Sequence, residues 1–230
     1  MAGMSVRRVQ DGLWWWSCPH PEWNGATDWD QLVGSVYCEM PDATVVIDPQ
    51  VPAEVEVAER FWRAFDRDVA RRGLPVVVLL TCRWHVRSAS EFRVRYGARV
   101  VAPTTTGHAV EGDDVELVAD GAEPVEGIVA LVTGSPAPNE ECVYLLLAYR
   151  AAVVGDILNT DDAGNLRVAN ADWYDNSDLE RAWFRSALPG SLERILDHDI
   201  AYLFVGHGVP IGPDLAGPMR ALIDHHRAAG

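Results

Sequence analysis

The sequence predicts an α/β fold in which two β-sheets pack together and are covered outside by helices. Three observations carry this expectation. Short apolar runs gather in clusters, helical segments bracket those clusters, and Pro75 to Thr81 (PVVVLLT) is continuously apolar, as a strand buried on both faces requires. With 48% of its 230 residues hydrophobic, the chain has enough apolar surface for a large core and is expected to form one domain over residues 1–230.

The elements follow in order. Val33 to Cys38 and Ala43 to Asp48 read as a hairpin turned at Pro41-Asp42. Ala53 to Arg72 places Val55, Ala58, Trp62, Phe65 and Val69 on one helical face, and Gly73 followed by Pro75 supplies its stop. Ser88 to Tyr96 is a short helix closed by Gly97, and Arg99 to Ala102 a strand. The middle is β-rich: Val115 to Val118, Gly127 to Val132, and the pair Val143 to Leu147 and Ala151 to Val154, separated by the hairpin-length gap Ala148-Tyr149-Arg150. Asn159 to Asp178, with Asp161, Asp162, Asp172 and Asp175, reads as a polar loop. Helices are expected around Leu179 to Leu188, Leu192 to Leu196 and Pro213 to Arg227, with a last strand at Ala201 to Val205.

Charge excludes several classes of function. The formal net charge is −15, which repels phosphate backbones and anionic lipid, so neither nucleic acid nor a membrane surface is an expected partner. The chain contains no lysine, which removes Schiff-base chemistry, a pyridoxal anchor and a P-loop lysine. No window matches a membrane span, and Trp14-Trp15-Trp16 after Arg7 and Arg8 is unlike a secretory signal, so a cytoplasmic protein is expected. Cys18, Cys38, Cys82 and Cys142 are scattered without a CxxC pair, which argues against a disulfide framework.

Polar or Gly-flanked residues end four of the strands: Ile47-Asp48-Pro49, Thr81-Cys82-Arg83-Trp84-His85, Gly155-Asp156 and Gly206-His207-Gly208. Ligands gather at such strand ends, where glycine lets the backbone turn and the strand fixes the side chain. In this order VVIDP, LLTCRWH, LVTGSP, VVGD and LFVGHG resemble the metallo-β-lactamase superfamily, over nearly the whole chain from about Gly12.

The resemblance implies an αββα four-layer sandwich and a metal site reduced to a few of its usual ligands. Anchored on Thr81, Cys82 stands where the family has its first histidine. Anchored on HVRSA, His85 matches the last histidine of the motif, in a segment shortened by two; this register is preferred because His85 then opens the helix. The third-segment histidine is missing from TGSPAP. Asp156 and His207 match the family's bridging aspartate and final histidine. The implied metal ligands are therefore His85, Asp156 and His207, with Cys82 a further candidate donor and Asp48 orienting a ligand from behind. Such a set suits one Zn or Fe ion and hydrolysis of an ester, thioester or lactone in a small molecule.

The competing reading is a metal-free site, either a binding module or a metal-independent catalyst, in which Arg83 or Arg87 pairs with Asp156 in place of the ion. The tryptophans at 14–16, 23 and 29 either wall a pocket for an apolar or aromatic ligand or pack an N-terminal strand onto the sheet. His20 is read as either a loop residue or a catalytic one. His108 and His198 stand alone, and His225-His226 are expected on exposed faces.

Overall fold

The structure is a computed structural model, and it describes residues 3–26, 29–103, 115–161 and 163–229. His108 and Asp162 lie outside the described residues.

Four antiparallel strands come first: β1 (Ser5–Gln10), β2 (Leu13–Pro19), β3 (Leu32–Glu39) and β4 (Thr44–Ile47). The chain then crosses through α1 (Val55–Arg72) to β5 (Val76–Leu79), which runs parallel to β4. A second crossover through α2 (Ala89–Tyr96) adds β6 (Arg99–Ala102), and β7 (Val115–Leu117) follows, again parallel. Among the described residues this sheet has the order β1-β2-β3-β4-β5-β6-β7.

The second sheet has the order β13-β10-β9-β8. It is built from β8 (Ile128–Val132), β9 (Cys142–Leu146) and β10 (Ala151–Val153), all antiparallel, with β13 (Tyr202–Phe204) parallel to β10. The segment expected as a polar loop is more structured than its composition suggested. It forms the hairpin β11 (Leu158–Thr160) and β12 (Leu166–Val168) and a short 3-10 turn at Ala171–Tyr174. Buried Leu158, Ala169 and Tyr174 supply the anchoring that the polar majority concealed. Three helices close the chain: α3 (Asp178–Ser186), α4 (Leu188–Leu196) and α5 (Ala216–Ala229). No helix among the described residues is long and apolar enough to cross a membrane.

Alternation along the strands sorts the core into three layers. Val45 and Ile47 of β4 face inward with Val77 and Leu79 of β5, against Tyr144 and Leu146 of β9 and Val153 of β10. Val46 and Val78 point the other way, onto Phe65 of α1 and Phe92 of α2. Leu145, Ala152 and Leu203 of the second sheet face Trp183, Leu192 and Met219 of the last three helices. Helix, sheet, sheet, helix is the resulting order.

α1 ends at Gly73 with φ 61°, whose N–H bonds back to Val69 O. Val55, expected on its buried face, is instead exposed at the first residue of the helix. The tryptophan-rich segment divides between the two expectations. Trp15 and Trp16 are buried in the inner and outer cores, and Trp14 meets Tyr37 edge-on at 5.2 Å. All four cysteines are buried free thiols. His225 is exposed, but His226 is partly buried and bonds Phe184 O at 2.7 Å.

Candidate metal centre

The centre is assembled where the strands end. After β4 the chain turns at Asp48, which holds φ 49°, an unfavourable conformation for a residue with a side chain. That turn aims its carboxylate across the sheet. Thr81 donates to it twice, from N–H at 2.8 Å and from Oγ1 at 2.5 Å. His85 Nδ1 lies 2.8 Å from Asp48 Oδ2. Asp48 is 2% exposed, so these donors replace its water.

With Nδ1 tied to Asp48, the other nitrogen of His85 looks outward to Asp156 Oδ1 at 3.0 Å. Asp156 follows β10 and sits at the centre of the group. Cys82 Sγ approaches its Oδ2 at 3.8 Å, and His207 Nε2, following β13, approaches its Oδ1 at 3.4 Å. The ring centroids of His85 and His207 are 6.0 Å apart. Glycines make this closeness feasible: a Cβ on Gly206 would lie 2.4 Å from His85 Cε1, and one on Gly155 2.8 Å from both Thr81 Oγ1 and Glu141 Oε2.

His85 does not open the helix, as its preferred register supposed. It ends a 3-10 turn over Arg83–His85, and α2 starts only at Ala89. The two arginines separate. Arg83 lies over the Trp84 ring, 4.7 Å from its centroid, and is not among the residues lining the cavity. Arg87 does line it, with NH1 donating to Gly34 O at 2.6 Å and Asp48 O at 3.0 Å, while NH2 is buried without a partner.

Burial dominates the electrostatics. It pushes the Cys82 thiol up to about 12. Burial and the Arg87 charge pull His85 down, but its acidic neighbours Cys82, Asp156 and Asp48 hold it well above its ordinary value. Burial likewise opposes the charge of Asp156, yet the His85 charge and hydrogen bonds from both histidines keep it well below the usual carboxylate range.

Above the centre is a cavity of about 510 Å³. Its walls include Trp29, Trp84, Trp173, Tyr174 and Pro138, with His20, Glu22 and Asp172 among its polar residues. Glu141 was not foreseen from the sequence. It accepts from Tyr174 Oη at 2.6 Å and from Ile157 N–H at 3.1 Å, and burial followed by the Asp156 charge raises its pKa to about 8. The available signal was an acid standing immediately before an apolar strand, in Glu140-Glu141-Cys142. Asn139 and Tyr174 were missed as well, Tyr174 in the segment read as a polar loop and Asn139 in a stretch to which no element was assigned.

Solved structures match this arrangement end to end. FIM-1 from Pseudomonas aeruginosa, solved in a mono-zinc form, superposes with TM-score 0.69 at 12% identity, covering 99% of this chain and 96% of that one. The fold is that of the metallo-β-lactamases. DIM-1 metallo-β-lactamase, solved after exposure to ceftazidime, gives 0.68 at 15% identity over 99% and 96%. The metallo-β-lactamase from Pontibacter korlensis gives 0.65 at 16% over 98% and 97%. No family model matches the sequence, and no curated protein matches it. At such low identity the metallo-β-lactamase likeness establishes architecture, and the reaction must be argued from the side chains.

Those side chains fit a metal ion. One donor atom each from Cys82, His85 and Asp156 lies within 4.8 Å of the others. Ligands around a tetrahedral zinc stand about 3.3–3.8 Å apart, close to the separations seen between these donors. Asp48 holds His85 by the nitrogen remote from the group, as a carboxylate does behind a ligating imidazole. A neutral thiol at Cys82 is no obstacle, because a coordinating cation deprotonates it. Cys82 thus enters the tight group, and His207 joins it through Asp156.

Proposed function

We propose that the chain is a metallo-hydrolase of the metallo-β-lactamase type, holding one zinc or iron ion through Cys82, His85 and Asp156 and cleaving an ester, thioester or lactone. The single observation that carries the reading is the convergence of these three donors on one point at the floor of a substrate-sized cavity. Bound there, the ion would supply Lewis-acid polarisation of a carbonyl and a lowered pKa for water.

The remaining work falls to the protein. Asp48 and Thr81 fix the His85 ring so that Nε2, not Nδ1, serves the site. His207 Nε2 stands 3.4 Å from Asp156 Oδ1 and is placed to take a proton and pass it to the departing oxygen or sulfur. The apolar walls exclude water and strengthen these polar contacts.

A second reading draws on the position of His85 between Asp48 and Asp156. An imidazolium there, together with the buried Arg87 guanidinium, balances the two carboxylates without an ion, and the cavity then serves as a binding site with Arg87, rather than Arg83, as its buried cation. Elemental analysis separates the two. Protein incubated with zinc and desalted is expected to retain roughly one ion per chain, lost in Asp156→Asn and in Cys82→Ser. Retention of no ion by the folded wild type would reject the metal reading in favour of the second.

A further inference from the structure

Arg87 is held at the cavity wall in a costly conformation. Its backbone φ is 41°, which strains any residue with a side chain and persists only where the surroundings enforce it. The turn carries the guanidinium to the end of β4, where NH1 donates to Asp48 O at 3.0 Å and to Gly34 O at 2.6 Å. Gly34 N–H bonds Gly206 O at 2.9 Å, and the neighbouring Val33 forms a β-bridge with His207. The guanidinium is thereby fixed beside the strand end that carries His207, and Val33, His85, Arg87 and His207 all line the cavity.

One nitrogen is left over. Arg87 NH2 is buried and meets no acceptor among the described residues. The two carboxylates of the centre are engaged elsewhere, Asp48 with Thr81 and His85, and Asp156 with His85, His207 and Cys82. Withdrawing a charged donor from water without an acceptor is costly, so this N–H at a cavity wall marks the place of an oxygen that the protein does not supply. Among oxygen ligands a carboxylate pairs most strongly with a guanidinium, because both partners are charged. Exposed Glu22 and Asp172 in the lining, and a net charge of −15, oppose a second negative group on the same molecule.

We propose that Arg87 is a substrate-binding residue whose NH2 receives a single carboxylate on the acyl compound that enters this cavity. The molecule would lie with that carboxylate against Arg87 and its scissile carbonyl toward Asp156. The inference deepens the hydrolase reading by naming its substrate class, a monocarboxylate ester, thioester or lactone; it rests on that reading for the chemistry, whereas the binding needs no ion.

Calorimetric titration of chelator-treated protein at low salt compares benzoate with benzamide, a neutral molecule of nearly the same shape. Benzoate is expected to bind about tenfold or more tightly, and Arg87→Met should erase that preference. Because Arg87→Met also loses both NH1 bonds, NMR of arginine-labelled wild type gives a second readout. Benzoate should shift the guanidinium resonance that is missing from the spectrum of Arg87→Lys. Equal binding of the two compounds, no binding of benzoate, or benzoate binding that leaves this resonance unmoved would each overturn the proposal. Phenyl acetate and monophenyl succinate offered to zinc-loaded protein separate the subsite from the reaction. A preference for benzoate with neither ester cleaved removes the hydrolase reading and leaves the subsite. Faster cleavage of phenyl acetate, with kcat/KM for monophenyl succinate unchanged in Arg87→Met, removes the subsite and leaves the hydrolase.

Discussion

Asp48 illustrates how one residue serves a site from behind. It is placed to touch no substrate, yet it accepts from Thr81 twice and from His85 Nδ1, and its own backbone is held at φ 49° by bonds from Arg87 and Ser35 to its carbonyl. Replacing its carboxylate leaves His85 free to rotate or to change tautomer. Asp48→Asn is expected to fold but to bind zinc about 10–100-fold more weakly than wild type, measured by competition with a chromogenic chelator. Unchanged zinc affinity would mean that Asp48 does not act through His85.

Residues of this kind also show where sequence reading succeeds and fails. Asp48, His85, Asp156 and His207 were legible because each follows an apolar run, and strand ends are where an open sheet presents side chains. Glu141 was not, because it stands at the start of a strand, and only the antiparallel pairing of β9 with β10 sets it beside Gly155 and Ile157. Arg83 and Arg87 could not be told apart from composition. The left-handed backbone at Arg87, φ 41°, turns its side chain under Asp48, while Arg83 is taken up by its neighbour Trp84.

At the scale of elements, the join between β13 and the site tolerates no added atom. Gly206 lets the last strand pass directly over His85, where a Cβ would come within 2.4 Å of the ring. Gly206→Ala is therefore expected to displace His85 or the strand end, lowering stability by about 1–3 kcal/mol and impairing zinc retention. Gly190 provides the contrast. It lies within α4, with open space around its missing Cβ, so Gly190→Ala should stabilise the protein by about 0.5–1 kcal/mol. Denaturant melts of the two variants test the pair, and equal effects would contradict the packing argument.

The whole molecule records the cost of assembling charge at a buried sheet edge. Glu141 keeps its proton to about pH 8 in the fold, because burial and the Asp156 charge oppose ionisation, whereas the unfolded chain releases it near the ordinary value of 4.5. The folded state thus binds the extra proton between those limits. The resulting stabilisation is complete below the unfolded value and is lost as pH rises through about 8. Glu141→Gln, which cannot ionise, should therefore gain on wild type as pH rises from about 4.5 to about 8, and the gain should level off above that, in metal-free thermal melts. Parallel curves for the two proteins would show that Glu141 does not carry this dependence.

By itself the sequence determined the layers. Periods of two and of 3.6 in its apolar residues, broken by glycine and proline, are local signals, and they specified the strands, the helices and the strand ends where polar groups would emerge. Only the tertiary structure decided which of those groups meet. Distances of 3–4 Å between residues more than seventy positions apart depend on how the two sheets are offset and on which glycines let them approach. No local pattern encodes that offset, so the roles of Cys82, Arg87, Glu141 and the tryptophans awaited the folded chain.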